Sequence, residues 1–206
     1  QISPALVAKN EDITITGTNF GDHKSSVLLK ASSTYLSLSH VGSETNVTTI
    51  TDTEIVMKVP TGFGKSAQLS VLVNGREADY ASLSAGRNVD FKSPTVVSTV
   101  PPATTEGGQI SVVGTGFGPL GEKIQIDQVS ISSSKGAMTC TNMIVTVEDT
   151  TMTCEVLPGT GAAYNVNVTI AGQHSGDSGM EKFAYPPPEV TSVAPSAGRS
   201  AWAHTR

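Results

Sequence analysis

The sequence predicts an all-β protein made of two antiparallel β-sandwiches in tandem. Three observations carry that prediction. The chain repeats itself at a constant offset of 97 residues. Its apolar residues fall in short alternating runs closed by Gly, Pro, Asn or Asp, the period-two pattern of half-buried strands. No amphipathic stretch of helical period and useful length interrupts those runs. At 206 residues the chain suits two domains of about 100 residues each.

Taken in order, Asp12-Ile13-Thr14-Ile15-Thr16 is the first clear strand, and Gln109-Ile110-Ser111-Val112-Val113 repeats it. A corner follows each: Thr16-Gly17-Thr18-Asn19-Phe20-Gly21 returns as Val113-Gly114-Thr115-Gly116-Phe117-Gly118. The glycines let the backbone turn tightly, and the Phe between them caps one end of a core. The offset then carries Asp52 onto Asp149, Ile55 onto Met152, Val59 onto Val156, and Gly62 and Gly64 onto Gly159 and Gly161. A later strand, Leu69 to Val73, matches Val166 to Ile170, with Leu69, Val71 and Val73 inward in one copy and Val166, Val168 and Ile170 in the other. Asn74-Gly75 after the first of these signals a two-residue hairpin, because a type I′ turn needs positive φ at both positions. A register that survives about sixty positions marks two copies of one unit, and such repeats belong to arrays.

The boundary falls at Ser93-Pro94, giving domains 1–93 and 94–187. The junction from Phe91-Lys92-Ser93-Pro94 to Pro101-Pro102 is repeated from Phe183-Ala184-Tyr185-Pro186 to Pro195 at the smaller offset of 93 residues, and proline makes both short and stiff. Residues 188–206 read as the entry strand of an incomplete third repeat. The chain opens at Gln1 without Met, which we read as a mature or excised piece of something longer.

Composition narrows the function classes. Net charge is −5 and no Lys/Arg cluster occurs, so counterion-release binding to nucleic acid has nothing to act on. No run approaches the ~18 apolar residues of a membrane span. Ser and Thr supply roughly a quarter of the residues, far above ordinary usage, while only 15% are charged. Such hydroxylated surfaces suit secreted β proteins.

The motifs resemble the IPT/TIG family, immunoglobulin-like domains of the E-set class. The resemblance rests on Pro4, the corner from Ile13 to Gly21, Thr53 to Val59 with Pro60, Gly62-Phe63-Gly64, and Leu69 to Gly75. In the second copy it rests on Pro101-Pro102, Ile110 to Gly118, Thr151 to Pro158, Gly159-Thr160-Gly161 and Val166 to Gly172. It implies tandem immunoglobulin-like sandwiches without catalytic residues, of a kind found in cell-surface receptors, extracellular repeat proteins, carbohydrate-active enzymes and certain transcription factors. Related extracellular repeats carry a Cys at the position of Cys154, with a partner on a neighbouring upstream strand, here Cys140. That bridge would close a loop worth about 3 kcal/mol in the chain-entropy account; two free buried thiols are the other reading. The first copy has Ser43 and Met57 at these positions.

Two N-glycosylation sequons occur, Asn46-Val47-Thr48 and Asn167-Val168-Thr169. Asn167 alternates with inward Val166 and Val168 and so should face solvent; Asn46 follows a turn-like Gly42-Ser43-Glu44-Thr45. The Ser/Thr clusters at 48–53 and 130–134 are candidate O-glycan carriers. Gly64-Lys65-Ser66 lacks the earlier glycine and the following helix of a phosphate loop. His23, His40, His174 and His204 are scattered without ligand spacing, and Trp202 is the only Trp, too little for an aromatic sugar platform. No cofactor, metal or catalytic residue is expected. The expected role is a structural or adhesive segment of an extracellular glycoprotein, one form of which is a cell-surface fibre. Its expected partners are other repeats or copies of itself, or a cell-surface protein, with covalent glycans. A ligand-binding receptor ectodomain for cell–cell recognition is the alternative. An accessory domain of a carbohydrate-active enzyme and a DNA-binding use rank below both.

Overall fold

The computed structural model describes residues 2–3, 5–23, 27–32, 37–38, 47–59, 61–79, 88–121, 126–133, 136–176 and 183–194, without the side chains of 27–32, 37–38, 126–128 and 133. The expectations placed on Pro4, His40, Asn46, Pro60, Ser134, residues 195–206, and therefore Trp202 and His204, lie outside the described residues. Among the described residues every regular element is a strand.

The first copy contains β1 (Ile2–Ser3), β2 (Leu6–Val7), β3 (Asp12–Thr16), β4 (Val27–Ser32), β5 (Ser37–Leu38), β6 (Val47–Ile50), β7 (Glu54–Lys58), β8 (Ala67–Val73), β9 (Arg76–Glu77) and β10 (Asn88–Phe91). The second contains β11 (Thr95–Val100), β12 (Gly108–Thr115), β13 (Ile126–Ser133), β14 (Gly136–Val147), β15 (Thr151–Val156), β16 (Asn165–Ile170) and β17 (Gln173–His174). Residues 186–194 belong to no strand.

In the first copy one sheet runs β1-β3-β7-β6 and the other β2-β10-β8-β4-β5, with β9 added on β8. All pairs are antiparallel except β2–β10. In the second copy the path β11-β12-β15-β14-β13-β16-β17 is continuous, because β14 serves both layers. Its first part, through Cys140, pairs with β13, and from Thr141 onward it pairs with β15.

The 97-residue offset holds in the ladder itself. Ile13 faces Met57 and Ile15 faces Ile55 across β3–β7; Ile110 faces Cys154 and Val112 faces Met152 across β12–β15. These side chains are buried because alternate residues of a strand share one face. Two clusters result. One gathers Val7, Ile13, Ile15, Phe20, Ile55, Met57, Val71 and Phe91, the other Ile110, Val112, Phe117, Val129, Met152, Val168, Ile170 and Tyr185.

The repeated corner is built alike in both copies. Gly17 N–H donates to Thr53 C=O and Phe20 N–H to Asp52 C=O (2.9 and 3.1 Å); Gly114 and Phe117 donate to Thr150 and Asp149 (2.9 and 3.2 Å). A Cβ on Gly17 would lie 2.5 Å from the Phe20 ring, and one on Gly114 would lie 1.8 Å from Thr95 O and 2.7 Å from the Phe117 ring. Only glycine admits that approach. Asn19 and Gly116, equivalent positions, share positive φ (64° and 77°), a conformation open to Asn and Gly but costly for most residues. Burial lifts the Asp149 carboxyl above the ordinary carboxylate range, against the lowering effect of hydrogen bonds from the Gly116 and Gly118 amides. The Asn74-Gly75 hairpin has φ of 48° and 77°, and Ala171-Gly172 repeats it with 50° and 71°.

Candidate functional site

The described residues contain no group of three or more His, Cys, Asp or Glu placed to hold a metal ion. What the structure assembles instead is a junction between the two copies.

Its centre is the loop Thr61-Gly62-Phe63-Gly64, which follows β7. This loop is strapped to the end of β10 by Phe91 N–H donating to Gly64 C=O (2.9 Å). Gly62 sits so close to Phe91 that a Cβ would lie 2.3 Å from the ring. The strap turns the Phe63 side chain away from its own sandwich: it is 4% exposed and packs in the second copy's cluster, with Val96, Phe117, Ile170 and Ala171 among its members. Gly64 also meets the second copy, since a Cβ there would approach the Ala171 Cβ to 3.2 Å.

Gln173 locks the same contact. It opens β17, directly after the Ala171-Gly172 turn, and is 4% exposed. Its Oε1 accepts from Gly64 N–H (3.0 Å) and its Nε2 donates to Phe91 C=O (2.7 Å), both buried. One side-chain amide therefore pairs a donor and an acceptor of the first copy's backbone. Buried backbone groups demand such partners.

A polar rim surrounds this centre. Lys9 Nζ lies 3.1 Å from Glu148 Oε2, and the other oxygen of Glu148 accepts from the Thr61 hydroxyl. On the connecting segment, Pro94 Cα would lie 3.0 Å from a Cβ on Gly116, so the linker lies against the second corner. Lys92 pairs with Glu11. The Lys92 ammonium and the Ala8 N–H hold the Glu11 carboxyl below its usual range.

Of the residues singled out in the sequence, Cys140 and Cys154 are joined as a disulfide, with Cα atoms 5.6 Å apart. It sits where β14 leaves β13 for β15. Asn167 lies half-buried in β16 opposite Ser130 of β13, between buried Val166 and Val168. The Thr169 hydroxyl of its sequon is 2.8 Å from His174 Nδ1. His174 is exposed on β17 and His23 is exposed beside Asp22. The structure does not bring Asn167 near the disulfide's strands β14 and β15 through any ladder; β13 stands between them.

Sequence reasoning missed Phe63, Gln173, Lys9 and Glu148. One signal was available. Phe63 and Gln173 stand where the offset puts Thr160 and Arg76, so the junction occupies positions at which the copies differ.

Comparison with known proteins follows this geometry. A profile of the IPT/TIG domain matches residues 1–89 and again 94–185. No curated protein matches the chain. Among solved structures the chain is similar to a structural genomics protein of unknown function from Bacteroides thetaiotaomicron, at 14% identity over 82% of this chain and 45% of that one, with TM-score 0.37. It is similar to SGBP-B from a complex xyloglucan utilization locus in Bacteroides uniformis, at 15% identity over 84% and 45%, with TM-score 0.33. It is also similar to the plexin A4 extracellular region, at 14% identity over 90% and 18%, with TM-score 0.34. The chain spans less than half the length of each of these three. With the profile covering both copies, the chain belongs to the IPT/TIG domain family, which it contains twice in tandem.

Proposed function

We propose that the chain is a non-catalytic structural or adhesive segment of an extracellular glycoprotein built from tandem IPT/TIG repeats, and that such repeats assemble into a cell-surface fibre. The observation that carries this reading is the junction. Gln173 and Phe63 tie one sandwich to the next through buried contacts, which suits a stiff spacer better than two independently moving binding heads. The proposed units are residues 1–93 and 94–187, with 188–206 opening a further repeat. Its partners are further repeats or copies of the same protein, or a cell-surface protein.

Glycans at Asn46 and Asn167 belong to the same proposal. The disulfide supports it, since such bonds persist in oxidising compartments. Two measurements test the reading. Intact-mass spectrometry of native material, before and after glycosidase, should show a loss of hexose-rich mass that Asn46→Gln and Asn167→Gln each reduce. Negative-stain images of native material should show filaments or rigid rods. Unmodified polypeptide mass would remove the glycoprotein claim, and flexible beads on a string would remove the fibre.

A further inference from the structure

A cavity of about 860 Å³ opens on the first copy, lined by the corner Gly17 to Phe20 together with Ile15, Val73, Arg76 and Ala78. Moved by the 97-residue offset, Ile15, Phe20 and Val73 fall on Val112, Phe117 and Ile170. These three belong to the buried cluster that receives Phe63. Arg76 falls on Gln173, whose amide clamps the Phe63 loop. The cavity is therefore the first copy's version of the surface on which the second copy seats its neighbour.

We propose that this cavity is a docking socket for the foot of another IPT/TIG module, one that presents a large apolar side chain at the centre of its Gly-x-Gly loop. The socket's inner wall is apolar, which matches such a plug. At its mouth Arg76 differs from Gln173 in having donors only. It can serve the carbonyl that corresponds to Phe91 C=O, while Glu77 and Asp79, which line the same cavity, carry acceptors for the loop N–H that corresponds to Gly64. The occupant follows from continuity with the junction already present in the chain, and it rests on the reading of the protein as an array.

The second copy's own foot repeats the required backbone. Tyr185 N–H donates to Gly161 C=O at 2.9 Å, as Phe91 N–H does to Gly64 C=O. A Cβ on Gly159 would lie 2.7 Å from the Tyr185 ring, as Gly62 crowds Phe91. At Phe63's position, however, stands Thr160, which is exposed. The foot has the shape of a plug without its apolar tip.

That difference supplies the experiment. Thr160→Phe in the full chain should create head-to-tail self-association, the foot of one molecule entering the socket of the next. Sedimentation velocity over a concentration series should show association at least about tenfold tighter than in the wild type, as the burial of one aromatic side chain implies. Adding Ala78→Glu, which puts a carboxylate into the socket, should return the chain to wild-type behaviour. Arg76→Asp at the exposed mouth gives a second block that touches no core residue. Thr160→Phe that associates no better than wild type overturns the proposal, as does association that both blocks leave intact. Binding of 1-anilinonaphthalene-8-sulfonate that the blocks abolish, with no gain from Thr160→Phe, would assign the cavity to a small apolar ligand and overturn docking. None of these results touches the images and masses that test the array itself.

Discussion

Gln173 shows how a single residue holds two sandwiches. Its amide accepts from Gly64 N–H and donates to Phe91 C=O inside the junction. Removing it leaves a buried donor and a buried acceptor without partners, and each such group costs about 1–3 kcal/mol. Gln173→Leu should therefore lower the stability of the docked chain by about 2–4 kcal/mol in denaturant unfolding. An unchanged midpoint would mean that water reaches the loop and that the clamp is incidental. Glu11 makes a smaller, pH-dependent contribution. Lys92 and the Ala8 amide hold its carboxyl below the ordinary value of 4.5. A depressed acid stabilises the fold above its unfolded value and loses that effect as pH falls through its folded value. Glu11→Gln should flatten the acid limb of the stability curve below about pH 4.5 and change little at pH 7. At this scale the sequence is legible where spacing dictates conformation. Phe20 and Phe117 announce themselves because glycines flank them. Gln173 does not, because nothing local distinguishes a clamp from a polar strand residue.

Among the elements, β14 carries the most information that the pattern of apolar residues conceals. It is 12 residues long, and its partner changes from β13 to β15 partway along. Its run Thr141-Asn142-Met143-Ile144, exposed except for half-buried Met143, dilutes the two-residue period that marked β12 and β16. β3, β8, β12 and β16 are readable because Val, Ile and Leu recur at alternate positions over one buried face. Cys140 and Cys154 lie where β14 changes layers, and the first copy puts buried Met57 at the position of Cys154. One copy thus fills this part of its core with a thioether and the other with a cystine. The bridge constrains the unfolded chain by closing a short loop, an effect of about 3 kcal/mol. The double variant Cys140→Ala, Cys154→Ala should lose about that much stability, with a further cost from the cavity left at Cys154. Reductant should shift the denaturation midpoint of the wild type and leave the double variant unmoved. A wild-type midpoint that reductant leaves unmoved would show that the bridge contributes nothing to stability.

The whole molecule depends on whether the junction is docked or merely tethered. Each sandwich has its own buried cluster, so the copies need not touch to stay folded. What favours contact is one buried Phe63, worth about 1.5–3 kcal/mol, the Gln173 clamp, and the rim pair Lys9–Glu148, worth at most about 1 kcal/mol because it is solvent-accessible. Such a sum would be weak between separate molecules. Within one chain the short linker through Ser93-Pro94 holds the partners at an effective concentration in the millimolar range or above, and modest contacts then suffice. Phe63→Ser removes the largest apolar contribution and puts a hydroxyl into the second copy's cluster. Small-angle scattering should then report a wider distribution of intramolecular distances than the wild type gives. The first copy's core should be untouched, because Phe63 is not part of it. Near-ultraviolet circular dichroism of the Tyr164, Phe183 and Tyr185 ring cluster, whose edge-to-face contacts lie at the far end of the second copy, should keep its sign and shape. A scattering curve identical to the wild type's would show that Pro94 against Gly116 fixes the arrangement without the plug. The stiffness of an array would then reside in its linkers, and Gly-x-Gly loops could vary freely from module to module.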